Sequence, residues 1–166
     1  KVIQAAESDI ENFVERGWWK KDRTLSDIVR ENALSNPLGI AYQWGDEIMT
    51  WSEYDQVANA IAAHITEDLQ AGDRVLVWLP DGGLVHASYL ACERARTIAV
   101  GVGWRAGSKE LEHLAARTES SFLLLPAETN LGSGSQVAKS LGLPFLILSD
   151  SSKKEVIGPQ VEPGVG

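Results

Sequence analysis

Cysteine is almost absent from this sequence, and long apolar runs are absent altogether. Cys92 is the single cysteine in 166 residues, which excludes an intramolecular disulfide and any metal site built from several thiolates. It stands in a stretch of small residues, 87–92, where a buried structural thiol is the common role. No window approaches the roughly 18 uninterrupted apolar residues of a membrane-spanning helix, so we expect no membrane span.

Basic residues are outnumbered by acidic ones. The chain carries 15 Lys and Arg against 23 Asp and Glu, a formal net charge of -8 at pH 7. Binding to nucleic acid requires a basic surface that displaces counterions, so we expect no nucleic-acid partner. A small anionic ligand is not excluded, because a local cluster of positive charge can override the total. Residues 1–4 show neither an initiator methionine nor a signal peptide, and we expect a cytoplasmic protein whose first residues are missing.

The composition is that of a globular domain, with 44% hydrophobic and 23% charged residues. In the first part of the chain, polar caps before apolar residues of helical spacing predict helices, and short apolar runs around a glycine turn predict a hairpin. The predicted elements, in order, are helices over 8–17 and 24–36 with Ser8 and Thr24 as caps, strands over 40–44 and 48–51 around a turn at Gly45-Asp46, and a helix capped by Ser52.

From residue 72 onward, strands that are apolar throughout alternate with helices. This pattern predicts an α/β fold with a mostly parallel sheet flanked by helices on both faces. We assign residues 1–150 to this α/β domain and residues 151–166, rich in Ser, Lys, Pro and Gly, to a linker or disordered tail. The predicted strands cover 74–79, 97–102, 121–125 and 144–148, and the predicted helices cover 84–96, 108–118 and 136–141.

Several stretches could carry chemistry, but each has a simpler structural interpretation. Residues 132–135 (Gly-Ser-Gly-Ser) and 82–83 (Gly-Gly) precede helices, where backbone N–H groups can cradle a phosphate. Neither completes a P-loop or dinucleotide pattern. The simpler roles are a flexible connection for residues 132–135 and a tight turn for residues 82–83. His64, His86 and His113 are not spaced as a zinc pair, and no Ser-His-Asp set is identifiable. We therefore predict no catalytic residue and no metal ligand.

The loop over residues 101–107 (Gly-Val-Gly-Trp-Arg-Ala-Gly) is the most suggestive stretch. It follows a predicted parallel strand and leads into a helix, and ligands of open α/β sheets gather at the carboxyl ends of strands. Its glycines allow close backbone approach, Trp104 offers a flat stacking surface, and Arg105 offers a fork for phosphate. The alternative is that Arg105 pairs with Glu110 and stabilises the start of the helix.

Five segments occur in a fixed order: 50–54 (Thr-Trp-Ser-Glu-Tyr), 71–81 (Ala-Gly-Asp-Arg-Val to Leu-Pro-Asp), 90–100, 108–111 (Ser-Lys-Glu-Leu) and 122–125 (Phe-Leu-Leu-Leu). In this order and spacing they resemble the first core motifs of the adenylate-forming enzymes, over about residues 8–148. The Gly-Trp-Trp at 17–19 and the loop over 101–107 are most similar to aryl or alicyclic carboxylate-CoA ligases and dihydroxybenzoate-AMP ligases. Arg96 departs from the pattern, because the family usually has glycine there.

The resemblance implies the N-terminal portion of an AMP-forming acyl-CoA synthetase, a ligase of fatty acid metabolism, with the α/β region as part of its larger N-terminal domain. Such an enzyme converts a carboxylic acid, ATP and CoA into acyl-CoA, AMP and pyrophosphate through an acyl-adenylate, assisted by Mg²⁺. The family's phosphate loop ending in Pro-Lys-Gly, its adenine and magnesium motifs and its catalytic lysine lie downstream and are not among these residues. We therefore expect the 166 residues to be inactive and to bind no cofactor by themselves.

Further expectations concern binding. In related enzymes the loop after the second motif approaches CoA, so the resemblance makes Gly103, Trp104 and Arg105 the candidate cofactor-binding residues, with Arg105 as a phosphate contact. The expected partners are the carboxylic acid, CoA and the C-terminal remainder of the same chain, and a homodimer is a further arrangement to test. Two alternatives stay open: a fragment of an aryl-AMP ligase or peptide-synthetase adenylation domain, which passes its acyl group to a carrier protein, and a non-catalytic α/β binding module.

Overall fold

The computed structural model describes residues 6–148 of the chain, and the tail predicted for residues 151–166 lies outside the described residues. The chain begins with two helices, α1 (Glu7–Glu15) and α2 (Leu25–Ser35). The predicted cap of α2 is confirmed: the Thr24 hydroxyl accepts from the Asp27 N–H at 3.2 Å, and the Asp27 carboxylate accepts from the Thr24 N–H at 2.9 Å. This reciprocal pair satisfies two of the four free N–H groups that every helix begins with.

Two predicted caps are each wrong by two residues. Helix α1 begins before Ser8, because the Ala6 carbonyl already accepts from the Asp9 and Ile10 N–H groups. Helix α3 (Trp51–Asp68) is capped by Thr50 rather than by Ser52, since Glu53 lies three residues after Thr50 and its carboxylate accepts from the Thr50 N–H at 2.7 Å. The sequence contains both possible caps, and the residue with a glutamate partner three positions later becomes the cap.

A hairpin precedes α3 as predicted. Strands β1 (Ile40–Trp44) and β2 (Glu47–Thr50) pair antiparallel. The turn between them contains Gly45 at φ 59, the left-handed backbone that glycine tolerates best. The inner face of the hairpin packs on α3 and on a later helix, α4 (Gly83–Arg94), with Tyr42 edge-on to Tyr54 at 5.1 Å between ring centroids.

The remaining elements are strands β3 (Arg74–Val77), β4 (Ile98–Gly101), β5 (Phe122–Leu125), β6 (Glu128–Thr129), β7 (Gly132–Ser133) and β8 (Phe145–Ile147), and helices α5 (Ser108–Thr118) and α6 (Gly134–Leu141) together with α4. The centre of the molecule is a four-stranded sheet in the order β4-β3-β5-β8, parallel throughout. This confirms the predicted parallel arrangement and the α/β fold class.

Helices cover both faces of the sheet, as the continuous apolar strands require. On one face, β3 and β5 pack against α2, α3 and α4 through a core that includes Val29, Ile61 and Leu90. On the other face, a second core packs against α5 and α6. The buried members of this second core are Leu76, Trp78, Val102, Ala106, Leu111, Leu123, Leu125, Val137, Ala138, Phe145 and Ile147.

The structure differs from the sequence-based prediction at two further places. The connection after β5 contains the miniature hairpin β6–β7, and α6 begins at Gly134, before the predicted start at residue 136. Strand β4 is less buried than predicted, with Ile98 49% exposed, because β4 is an outer strand of the sheet. No helix within residues 6–148 is long and apolar enough to cross a membrane.

Three helices are tied together by one buried arginine. Arg94 at the end of α4 pairs with Asp55 of α3 at 2.6 Å, and its side chain is only 8% exposed. The same guanidinium donates to Asn59 of α3 at 2.8 Å and to Ser26 of α2 at 2.9 Å. All three guanidinium nitrogens have partners, so the charge is compensated as buried charges must be.

Candidate ligand site at the carboxyl end of the sheet

The carboxyl ends of β3, β4 and β5 lie side by side, because the three strands are parallel neighbours. Each strand is followed by a connection that contains glycine: residues 78–82 after β3, 102–107 after β4 and 126–133, with the hairpin β6–β7, after β5. Ligands of open parallel sheets bind at this end. The three loops therefore define the place at which a site would form.

The loop after β4 makes a tight turn over the end of the sheet. The Val102 N–H donates to the Val77 carbonyl at 3.0 Å, and the Ala106 N–H donates to the Gly103 carbonyl at 2.9 Å. The second bond closes a four-residue turn with Trp104 and Arg105 as its two central residues. The inward-facing neighbours Val102 and Ala106 are 7% and 2% exposed and anchor the turn in the second core.

Trp104 and Arg105 are placed very differently within this turn. Trp104 packs against Trp78, the residue that follows β3, with 5.6 Å between ring centroids and 41° between ring planes. The ring predicted as a stacking surface for a ligand thus already has an aromatic neighbour, which fixes its position in this structure. Arg105 is exposed instead.

Arg105 has no partner among the described residues. No ion pair or side-chain hydrogen bond within residues 6–148 involves it, and the alternative pairing with Glu110 is not seen. Its guanidinium stands two residues before Gly107, the N-cap of α5, which has no side chain to satisfy the first N–H groups of the helix. An exposed guanidinium without a partner, only two residues in sequence from the positive end of a helix dipole, favours an anion.

The glycines of this turn are not required by the packing of the described residues. A Cβ atom placed on Gly103 or on Gly107 would meet no other atom within 4 Å, and neither backbone is left-handed. By contrast, a Cβ on Gly134 would collide with the Pro126 carbonyl, and one on Gly83 would collide with the Met49 side chain. The turn after β4 therefore leaves its backbone open at Gly103 and Gly107, whereas Gly134 lies against a backbone carbonyl that leaves no room for a side chain.

The simpler interpretation fits both other glycine stretches. Gly134 is buried, and its N–H donates to the Ala127 carbonyl at 2.7 Å, so it closes the connection. The hydroxyls of Ser133 and Ser135 lie 3.0 Å apart and hydrogen-bond each other. Gly82 has φ 151, a conformation reserved for glycine, and forms the turn that starts α4. The glycines of both stretches are therefore accounted for by the turns and connections that they form.

The other candidate residues have structural roles. His86 stacks on Tyr42 with 4.2 Å between ring centroids, and His64 lies 3.8 Å from Glu67 on the surface of α3. Cys92 is buried, and burial raises the pKa of its thiol to about 11, so the reactive thiolate is disfavoured. Within residues 6–148 no three His, Cys, Asp or Glu side chains are grouped as a metal site would require.

A groove between α5 and α6 lies at the opposite end of the sheet. Its volume is about 380 Å³, and its lining includes Ser120, just before β5, and Leu143, just before β8. The charged residues of its lining are Glu112 and Glu119. Two carboxylates without a basic residue disfavour a phosphate-bearing ligand, so this groove does not compete with the loop after β4.

Taken together, the fold and the loop define an α/β domain of the open parallel-sheet class, with its ligand end formed by the loops after β3, β4 and β5. Comparison with known protein families identifies the family of this domain. A family model described as "AMP-binding enzyme" matches residues 29–161, and the chain belongs to this family. Comparison of the sequence with curated proteins gives no match.

Solved structures share the fold. A fatty acid AMP ligase from Legionella pneumophila is 28% identical over 64% of this chain and 20% of its own, with a TM-score of 0.55. A putative long-chain-fatty-acid CoA ligase from Rhodopseudomonas palustris is 17% identical over 84% of this chain and 35% of its own, with a TM-score of 0.63. NpsA-ThdA, an artificially fused adenylation-PCP di-domain NRPS from Klebsiella oxytoca, is 18% identical over 62% of this chain and 21% of its own, with a TM-score of 0.56.

The sheet and its helices thus match the N-terminal domain of adenylate-forming enzymes. The chain spans between 20% and 35% of the lengths of these three structures. Family membership confirms the resemblance seen in the order of the sequence motifs.

Proposed function

We propose that this chain is the N-terminal portion of an ATP-dependent acyl-CoA synthetase. Membership of the AMP-binding enzyme family and the parallel α/β fold support the adenylate-forming class. The observation that carries the choice of ligand is Arg105, a solvent-facing guanidinium with no partner among the described residues, on an open glycine turn at the carboxyl end of the sheet. CoA brings phosphates that such a group can bind.

The proposed reaction has two steps. The carboxylate oxygen of the acid attacks the α-phosphorus of ATP, and pyrophosphate leaves with the electrons of the broken P–O bond. The thiol sulfur of CoA then attacks the carbonyl carbon of the acyl-adenylate, loses its proton, and displaces AMP. Mg²⁺ would neutralise the phosphate charge that develops in the first step. The chain has no Pro-Lys-Gly phosphate loop, so we infer that these 166 residues alone form no adenylate.

The turn after β4 would serve the second step. A guanidinium donates two parallel hydrogen bonds to a phosphate, and such charge-assisted bonds contribute about 1.5–3 kcal/mol each when partly desolvated. The open backbone at Gly103 allows a ligand to approach the turn, and Trp104 forms its inner wall. In this proposal Gly103, Trp104 and Arg105 line the entrance for CoA.

The decisive experiment is a calorimetric titration with CoA of the full-length enzyme to which this chain is proposed to belong. Arg105→Ala should weaken CoA binding by about ten- to a hundredfold, because the phosphate loses its charged donor. Arg117→Ala is the matched control, since Arg117 is also exposed and lies in the last turn of α5, the helix that follows the turn of Arg105. Equal CoA affinities for wild type and Arg105→Ala would overturn the assignment of the turn. An ATP–pyrophosphate exchange assay on the 166-residue chain alone should show no adenylate formation.

A second candidate is an acyl- or aryl-AMP ligase, or an adenylation domain, that delivers its acyl group to a carrier protein. It is favoured by the 28% identity to the fatty acid AMP ligase from Legionella pneumophila, higher than the 17% identity to the CoA ligase from Rhodopseudomonas palustris. The two candidates differ in the acyl acceptor, which is CoA for the first and a carrier protein for the second. Binding of 4′-phosphopantetheine without binding of 3′-phospho-ADP would favour the carrier, because only CoA carries the second group.

A further inference from the structure

Helix α1 is not accounted for by packing within the described part of the chain. None of its nine residues is buried, and none belongs to either core of the sheet. Its apolar side chains, Ile10, Phe13 and Val14, are only half-buried. A helix shorter than about 12–15 residues is marginal in water by itself, because its nucleation is costly. A helix of this length therefore needs packing against another surface.

The charges of α1 increase this need. Glu7, Glu11 and Glu15 recur every four residues and so line one side of the helix, which we call the acidic stripe. Carboxylates four residues apart repel each other, and Glu15 lies at the negative end of the helix dipole, where the last turn has no basic residue. No ion pair within residues 6–148 involves these three glutamates. A cationic partner would relieve the repulsion.

A basic segment with two exposed tryptophans follows the acidic stripe directly. Residues 16–21 (Arg-Gly-Trp-Trp-Lys-Lys) contain three cations and no anion, and none of these cations forms an ion pair with another described residue. Trp18 and Trp19 are 69% and 46% exposed. Their backbone N–H groups donate to the Phe13 carbonyl at 2.9 and 3.1 Å, which folds the basic segment back onto α1. The Phe13 and Trp18 rings stack with 6.1 Å between centroids, and the Arg16 guanidinium carbon lies 4.9 Å from the Trp18 centroid.

We propose that residues 7–21 form a two-fold symmetric interface with the same residues of a second copy of this chain. The acidic stripe of each copy faces the basic segment of the other, and Trp18 and Trp19 are buried between the two copies. A two-fold axis brings a patch against itself, so a patch with both signs of charge side by side is complementary to its own copy. Tryptophan and arginine are enriched where such interfaces bind most strongly. This inference goes beyond the proposed function and does not depend on it.

The charge pattern favours a second copy over a membrane surface. An anionic membrane attracts basic side chains and accommodates tryptophan at its interface, but it would repel the acidic stripe that lies next to them. A partner with one sign of charge matches only half of the patch, whereas a second copy matches both halves. The chain carries a net charge of -8, so two copies repel each other at long range, and their association depends on this local match.

The test reverses the charges in the full-length enzyme to which this chain is proposed to belong and measures its mass by sedimentation velocity over a dilution series. The first variant carries Glu7→Lys, Glu11→Lys and Glu15→Lys, and the second carries Arg16→Glu, Lys20→Glu and Lys21→Glu. The wild type should dimerise, and each variant alone should bind its own copy at least about a hundredfold more weakly, because like charges then face each other. An equimolar mixture of the two variants should restore the dimer, because both pairs of facing charges are then opposite again.

A single substitution gives a second readout that does not depend on the folding of the triple variants. Trp18→Ala should weaken the dimer by at least about thirtyfold, as expected for an aromatic side chain at the centre of an interface. Trp44→Ala is the matched control, because Trp44 is also exposed, at 60%, but lies on the hairpin outside residues 7–21. A dimer that Trp18→Ala leaves intact would overturn the proposal.

Two further outcomes would replace the second copy by another occupant. A wild type that stays monomeric, with the fluorescence of Trp18 shielded from acrylamide, would mean that the rest of the same chain covers the patch. A monomer that binds vesicles of phosphatidylserine and phosphatidylcholine, and loses this binding on Lys20→Glu, would assign the patch to a membrane surface. Either result would overturn the proposal. None of these measurements uses ATP or CoA, so a failure of the proposed function would leave their outcome unaffected.

Discussion

The helix layer around Arg94 and the turn around Arg105 are opposite cases of the same residue type. Arg94 is buried, and all of its guanidinium nitrogens have partners on α2 and α3. Arg105 is exposed and has no partner within residues 6–148. The contrast extends to glycine, because a Cβ atom on Gly134 would meet the Pro126 carbonyl and the Leu125 side chain, while one on Gly103 would meet no atom within 4 Å. Residues whose type is explained by internal contacts belong to the fold, and those without such an explanation are the candidates for function.

This comparison makes its strongest prediction for the two arginines. Arg94→Ala should lower the free energy of unfolding by about 3–5 kcal/mol, because it leaves the partly buried Asp55 carboxylate without its cation. Arg105→Ala should change it by no more than about 0.5 kcal/mol, as expected for an exposed side chain without contacts. Urea denaturation of both variants measures the difference. Comparable losses in the two variants would mean that Arg105 has a structural partner.

The glycines provide the next test. Gly134→Ala should destabilise the protein by about 1–3 kcal/mol, since the added methyl group meets the Pro126 carbonyl, which cannot rotate away. Gly103→Ala should leave stability unchanged or raise it slightly, because alanine restricts the unfolded chain more than glycine does. The same Gly103→Ala variant should weaken CoA binding if the open backbone serves the ligand. Thermal melting and calorimetry on both variants separate the two roles, and a Gly103→Ala variant that unfolds early would place this glycine with Gly134.

Sequence patterns predict the local structure of this chain better than they predict its contacts. The Thr24 cap depends only on Asp27 three residues later. The predicted bounds of α5, Ser108 and Thr118, are also confirmed. Both predictions succeed because the start and the end of a helix are determined by residues close in sequence. The parallel sheet follows from continuous apolar strands, which report burial on both faces. The miniature hairpin over 128–133 escapes prediction because two-residue strands are too short to show any periodicity.

The site can be predicted only in outline. The order of strand, glycine loop and helix is enough to place residues 101–107 at the carboxyl end of a strand. What the pattern cannot show is which side chains pack inward: Trp104 packs on Trp78, whereas Arg105 is exposed. The bond from Arg94 to Asp55 joins positions 39 residues apart, and the contact between Trp78 and Trp104 also depends on long-range packing. No local signal in the sequence encodes either feature.

Arg96 fits neither side of this comparison, because neither internal contacts nor the proposed ligand explains why an arginine occupies this position. It has φ 59, and it follows α4 with the bonds of a Schellman ending: its N–H donates to the Glu93 carbonyl and the Thr97 N–H donates to the Cys92 carbonyl. Glycine is the favoured residue at such a position, because a side chain in left-handed backbone is crowded. Adenylate-forming enzymes usually have glycine at the corresponding place, and Arg96 is the departure from that pattern.

Arg96→Gly should therefore raise the stability of the protein. Removing the crowded side chain gains about 1–2 kcal/mol, and the greater freedom of glycine in the unfolded chain removes about 0.4–1 kcal/mol of that gain. The net gain is about 0.5–1 kcal/mol, a rise in melting temperature of roughly 1–4 °C for a chain of this size. Arg96→Ala is the matched control, because it removes the charge but keeps a Cβ and should give no gain. CoA affinity should not change in either variant, since Arg96 precedes β4 whereas the proposed ligand turn follows it. If Arg96→Ala gained as much stability as Arg96→Gly, the charge of Arg96, and not its backbone conformation, would limit stability. Weaker CoA binding in either variant would mean that the ligand site extends beyond the carboxyl end of the sheet.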